Sequence, residues 1–351
     1  MPDAGPALDD RSREVLRLLI QQHIQTGEPV GSETLAARMH RTLSPATIRN
    51  IMADLERQGL LDHPHTSAGR MPTDEGYRVY VDSLMAKEAL PRQDLATIDQ
   101  ALRSNEGSPT HVLENASQLL SRLSHNVGLV IAPDLSRSAF AHIELLRLRD
   151  RRVLVVMVAR SGLVTNKLVE IDEDLSAEEL QECANYLKAN FAGMALHAIR
   201  MRLLELMRED RAAYDSLRRH VIAVGERAFA EAQAEQTNLF LDGASHILER
   251  AQQEDLERLR DLFRTFEEKS RLVKILNACL GPEGVRIYIG RENLDPGLRE
   301  MTLVTATYPV DGDLGLGVGV LGSTRMEYAR VITLVDHVAR AVVRTLRDLQ
   351  T

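Results

Sequence analysis

The spacing of apolar residues changes several times along this chain. From position 10 to about 125 it follows the three-to-four-residue period of amphipathic helices; from Val127 it shifts to alternating or continuous β-branched runs. Residues 10–26, capped by Asp9 or Asp10, place Val15, Leu16, Leu19, Ile20, His23 and Ile24 on one stripe before Gly27, Pro29 and Gly31 break the helix. Ser32 is expected to cap a short second helix, ETLAARMH, with Leu35, Ala36 and Met39 facing in. Arg41 and Thr42 lead into LSPATIRNIMADLER, where Ser44 is an N-cap and Pro45 takes the first helical position. At about 100° per residue, Ile51, Met52 and Leu55 lie within about 60° of Ile48. Ala46, Asn50, Ala53 and Arg57 fall opposite, with Thr47 and Arg49 on the flanks.

That outer face is short-chained and rich in donors. Its residue types match base edges in a DNA major groove: Asn pairs with adenine, Arg with guanine, and Ala meets a thymine methyl. After Gly59, LLDHPHTSAGRMPT reads as a short strand and a turn-rich hairpin tip holding Gly69 and Arg70. Two helices joined by a few residues, followed by a hairpin, make a winged helix-turn-helix. Expected base contacts are Asn50, Arg49 and Thr47, with Ala46 beside them. Ser32, Ser44 and Arg70 are expected on backbone phosphate, the serines through helix N-termini. Arg38, Arg41 and Arg57 are further candidates, although Arg57 reads equally well as a solvated surface charge.

Thr73 caps a predicted helix of about 14 residues in which Tyr77, Tyr80, Val81 and Leu84 recur at the helical period, which reads as a packing stripe rather than a base-stacking platform. Beyond Pro91, helices near 92–103 and 109–125 flank the loop SNEGSP; the stripe from Val112 to Leu123 suits a core or a subunit interface. NVGLVIAP, AFAHIELLRLRD, RRVLVVMVA and GLVTNKLVEI follow as strands, with hairpin turns at Asp150-Arg151 and Ser161-Gly162. A helix over Ser176–Asn190 buries Leu180, Cys183, Ala184 and Leu187. VRIYIG, MTLVTATYPV and GLGVGVLG add three strands, and a helix from Ser323 or Thr324 to Leu349 closes an α+β arrangement. Between them, residues 195–265 read as purely helical with mixed charge, equally compatible with dimerisation or decoration.

At 351 residues the chain calls for two or three domains, and 44% hydrophobic content with 4% aromatics implies aliphatic cores. No apolar run of about 18 residues exists to span a bilayer. The N-terminus lacks the look of a signal peptide, and Cys183 and Cys279 read as small buried hydrophobes, so cytoplasm is the expected location. The net charge is −8, and Arg11–Arg78 holds nine Arg against eight Asp and Glu. A nonspecific DNA coater is far more basic, so sequence-specific binding by a dimer fits better. Gly317, Gly319 and Gly322 formally match GxGxxG, but no second strand follows the last helix, which argues against a dinucleotide site. His63 and His65 lack ligand partners at useful spacing. No enzyme, cofactor or metal is expected.

The runs EPVGSETLA, SPATIRNIMADLERQGLL, HTSAGRMPTDEGYRVYVD, FAHIELLRLRDRRVLVVMV, TNLFL, IYIGREN and GSTRMEYARVI closely resemble the HrcA heat-inducible transcription repressors of bacteria. The resemblance implies a winged-helix DNA-binding domain over 1–88 and a GAF-like α+β domain in two halves, 89–194 and 266–351. A helical dimerising insertion would occupy 195–265. It also implies negative regulation of chaperone operons through an inverted-repeat (CIRCE-type) operator bound by a homodimer, with activity modulated by a GroEL-type chaperonin. A repressor gated by a small effector in the GAF-like domain is the alternative.

Overall fold

The structure is a computed structural model, and it describes residues 8–40, 42–63, 69–86, 88–103, 109–132, 139–160, 164–208, 216–229, 239–246, 269–279, 282–311 and 314–349. Arg41, the hairpin tip from 64 to 68, and the turn at 161–163 lie outside these residues.

The first helix, α1 (Asp10–Thr26), begins where the Asp9 carboxylate accepts the Ser12 N–H at 2.8 Å. It ends at Gly27, whose φ of 77° lets its N–H return to the His23 carbonyl. Val15, Leu16, Leu19, Ile20 and His23 are buried as the periodicity requires. Helix α2 (Ser32–Arg38) starts one residue earlier than expected: Gly31 is the N-cap and Ser32 the first helical residue, so Ser32 does not cap the helix. The reason is the backbone pairing of Val30 with Arg70, which holds the chain extended up to Gly31. Helix α3 (Pro45–Arg57) follows, then β1 (Leu61–Asp62) and β2 (Met71–Pro72), an antiparallel pair.

Thr73 caps α4 (Asp74–Val79) through a side-chain bond from Gly76 N–H. The expected single helix widens at Tyr80–Leu84 into a π-helical turn, closed by Met85 N–H donating to the Tyr80 carbonyl at 2.9 Å. Helices α5 (Arg92–Arg103) and α6 (Pro109–Ser124) precede β3 (Val127–Ile131). Next come β4 (Phe140–Arg147), β5 (Arg152–Ala159) and β6 (Val164–Glu170), a three-stranded antiparallel sheet. Asp150 and Arg151, with φ of 62° and 56°, form the predicted turn between β4 and β5. Helix α7 (Ala177–Phe191) has a reciprocal Ser176–Glu179 capping box. Helices α8 (Leu196–Arg208) and α9 (Ser216–Phe229) share one apolar core with α7 and this sheet, around Phe140, Val155, Leu187 and Leu203.

The block expected to be purely helical is not. It contains β7 (Leu239–Asp242), which pairs with β3. TNLFL is short and apolar, too brief for its period to betray a strand, but it completes an edge that β3 leaves open. After α10 (Lys269–Cys279) come β8 (Gly284–Ile289), β9 (Met301–Asp311) and β10 (Leu314–Ser323). The five-stranded sheet runs β7-β3-β10-β9-β8, antiparallel throughout. Gly317, Gly319 and Gly322 are interior to β10, paired with β9 on one side, which leaves them no role as a phosphate loop. The final helix, α11 (Tyr328–Asp348), packs with α6 on one face of this sheet and α10 on the other. Leu16 and Ile48 of the N-terminal helices belong to the same continuous apolar core as Val130, Val320 and Val335. The Cys183 and Cys279 thiols are buried, and burial pushes that of Cys183 up to about 12, far from thiolate chemistry.

Candidate nucleic-acid interface

Helix α3 owes its position to its inner stripe. Ile48 and Leu55 are fully buried and Met52 nearly so, wedging the helix against α1 and α2. Its start is set twice over: Ser44 Oγ accepts the Thr47 N–H at 3.1 Å and lies 2.8 Å from Thr47 Oγ1. Thr47 is half-buried by this arrangement, and its hydroxyl is engaged inside the protein. Ser44, Ala46, Arg49 and Asn50 are exposed. Neither the Arg49 guanidinium nor the Asn50 amide has a hydrogen-bond or ion-pair partner among the described residues. About two turns further on, Arg57 pairs with Asp54 on its own helix, so that end of the face is already neutralised. The N-terminal half of α3 therefore presents open donors and acceptors where the C-terminal half does not.

Two expected phosphate contacts sit differently from that expectation. Ser32 is only 9% exposed, and a hydroxyl so enclosed is poorly placed to meet a phosphate directly. Arg70 Nε donates to Glu56 Oε2 at 2.7 Å, and the Arg70 side chain is 18% exposed. It fastens the hairpin to the back of α3. The backbone reinforces this tie, with Val30 N–H to the Arg70 carbonyl at 2.9 Å and Arg70 N–H to the Val30 carbonyl at 3.0 Å. Gly69 permits the approach, since a Cβ there would run into the Val30 main chain. Arg41 lies outside the described residues. Arg38 is exposed, with one long contact of 3.4 Å to Gln25.

The joint behind this surface was not legible beforehand. Arg78 Nε donates to Glu292 Oε1 at 2.8 Å, and its Nη2 donates to the Ile287 carbonyl at 2.7 Å. The Asp74 carboxylate accepts the Arg291 N–H at 3.0 Å, and the Tyr77 and Tyr328 rings meet at 5.7 Å. Glu292 also accepts the Ile289 N–H, while Asn293 Nδ2 donates to the Gly290, Leu298 and Met301 carbonyls. Three motifs remote in sequence, TDEGYR, IYIGREN and TRMEYAR, thus converge to hold the N-terminal domain on the sheet domain. Partners more than two hundred positions apart carry no spacing signal.

A helix-turn-helix with a two-stranded wing, presenting a capped helix with an open Arg-Asn face, defines the class: a winged-helix DNA-binding regulator. The chain belongs to the HrcA family of heat-inducible transcription repressors. A model described as the winged helix-turn-helix transcription repressor, HrcA DNA-binding domain matches residues 7–84, and one for the HrcA protein C-terminal domain matches residues 110–332. A heat-inducible transcription repressor HrcA from Geobacter sulfurreducens is 43% identical over 340 residues, covering 97% of this chain and 98% of the relative. One from Xanthomonas euvesicatoria is 42% identical over 336 residues, covering 95% of each. A crystal structure described as a hypothetical protein at 2.2 Å resolution has a TM-score of 0.66 at 23% identity, covering 98% of this chain and all of that one, which supports the fold alone. Family membership sets the chain among transcription repressors, not enzymes. Among the described residues, no helix is long and apolar enough to cross a membrane.

Proposed function

We propose that this protein represses heat-shock chaperone operons from the cytoplasm by binding an inverted-repeat, CIRCE-type operator as a homodimer. The observation that carries the reading is the Arg49 and Asn50 pair on the exposed N-terminal half of α3, without side-chain partners among the described residues. In this reading Asn50 and Arg49 meet base edges and Ala46 meets a thymine methyl. Thr47 takes part mainly by bracing Ser44, while Ser44 and the first turn of α3 meet a phosphate at the helix N-terminus. Arg70 positions the wing.

A two-fold dimer matches a palindromic site, since protein symmetry mirrors operator symmetry. Support for a self-association surface comes from the outer face of the three-stranded sheet. There Leu146, Leu154 and Leu168 lie side by side in register, with Leu146 50% and Leu168 51% exposed. Val164, on the same face, is 58% exposed. Aligned apolar residues standing in water are the usual mark of a contact surface. We propose this face as a dimer contact in addition to the 195–265 insertion. The five-stranded sheet flanked by α6, α10 and α11 is the unit we read as GAF-like.

Chaperonin control is an equilibrium proposal: a chaperonin that favours the DNA-competent form raises apparent operator affinity by the fraction it rescues. Footprinting on chaperone-operon promoters, with stoichiometry and with chaperonin added, tests the whole reading. Two protomers on one palindrome, tightened by chaperonin, are expected. No protection of any such promoter overturns it.

A further inference from the structure

A cleft of about 430 Å³ opens where the N-terminal domain meets the sheet domain. Its walls come from three places: the end of α1 with Ile24 and Gln25, the α6–β3 turn around His125 and Asn126, and the start of α11 with Arg325 and Arg330. That volume falls within the range of small-molecule sites, and the walls are mainly polar, with Gln25, His125, Asn126, Arg325 and Arg330 set among a few apolar side chains, which suits a charged ligand.

The arginines of this region differ in one respect. Arg78 is matched by Glu292 and Asp82, and Arg330 by Asp94 at 2.9 Å. Arg325, half-buried in the cleft wall, has no carboxylate or hydrogen-bond acceptor for its guanidinium among the described residues. It lies over Gly27, so closely that a Cβ there would collide with it. The glycine at the end of α1 thus both closes the helix and makes room for a cation from another domain. Among the described residues, the single acidic side chain on the cleft wall, Glu327, is exposed.

We infer that this junction cleft binds a small oxyanion, a phosphate or a carboxylate metabolite, with Arg325 as its principal partner and Arg330 and Gln25 beside it. A guanidinium presents paired donors that match either oxyanion. Because its walls belong to both domains, the bound anion would hold the winged helix to the sheet domain. This site is separate from the DNA face and goes beyond the operator reading.

Calorimetric titration of the full-length protein with inorganic phosphate, and separately with citrate, at constant ionic strength is the test. One saturable site per chain for either anion is expected, and the responding arm identifies the source. Affinity should fall about tenfold or more in Arg325→Gln, consistent with losing a charge-assisted bond. Gln25→Trp, an exposed position on the cleft wall that leaves the core intact, should block the site as well and serves if Arg325→Gln does not fold. Arg299→Gln, an exposed charge elsewhere, should bind as wild type. Absence of saturable binding of both anions, binding unchanged in the cleft variants, or equal loss in Arg299→Gln would overturn the site. No DNA enters these titrations, so failure here leaves the operator reading standing.

Discussion

Ser44 does two jobs whose energies differ. Its hydroxyl satisfies the Thr47 N–H, and removing such a cap costs about 1 kcal/mol, within a range of roughly 0.5–2. Ser44→Ala should lower the melting temperature by a few degrees and weaken operator binding further, because we propose that the same turn meets phosphate; thermal melts and gel-shift titration separate the two. His23 is a second residue with a measurable signature. It is buried at the end of α1, its Nδ1 lies 3.0 Å from the Glu28 carbonyl, and burial, more than any neighbour, holds its pKa below the ordinary 6.5. The folded state therefore favours the neutral ring, and the unfolded chain binds the proton first. Stability should be complete above about pH 6.5 and fall as pH drops towards the lowered folded value. Melting curves between pH 5 and pH 7 should show this slope in wild type and a shallower one in His23→Gln. Such local devices were readable in advance: the cap at Ser44, the glycine stop at Gly27 and the inward His23 depend on neighbours within five residues. The Arg70–Glu56 tie was not, because it needs the hairpin folded back onto α3.

At the scale of elements, the wing and the three-stranded sheet carry the argument. Binary patterning placed α1, α3, α6 and α7 well, because each buries one stripe at a steady period. Patterning could not say which sheet a strand joins. Four strands between 127 and 170 read as one series, yet β3 leaves β4, β5 and β6 to pair with β7 and β10. Edge strand β7 was hidden by its four-residue length. The outer face of β4–β6 yields a direct prediction. Leu146→Glu combined with Leu168→Glu places charge on two half-exposed positions, so the fold should survive with its circular dichroism intact. Sedimentation should then show monomers, and affinity for a full palindrome should fall towards that for a half-site. A variant that remains dimeric would send the search for the interface elsewhere.

For the whole molecule, the continuous core and the Arg78–Glu292 joint mean that α3, the proposed reading helix, is carried by the sheet domain rather than tethered loosely to it. In the proposed dimer, anything that shifts the sheet domains against each other would change the distance between the two α3 helices, and with it the half-site spacing that could be bound. Chaperonin or a bound oxyanion would act through that geometry, by differential affinity for the competent arrangement. Operator recognition is proposed to depend on α3. Base-by-base operator binding by wild type, Asn50→Ala and Arg49→Ala measures it most directly. Each variant should keep the wild-type melting temperature, lose about 1–3 kcal/mol of operator affinity and become indifferent to sequence at one position in each half-site. Unchanged affinity and unchanged base preference at every position, in both variants, would contradict the assignment of this helix as the reader.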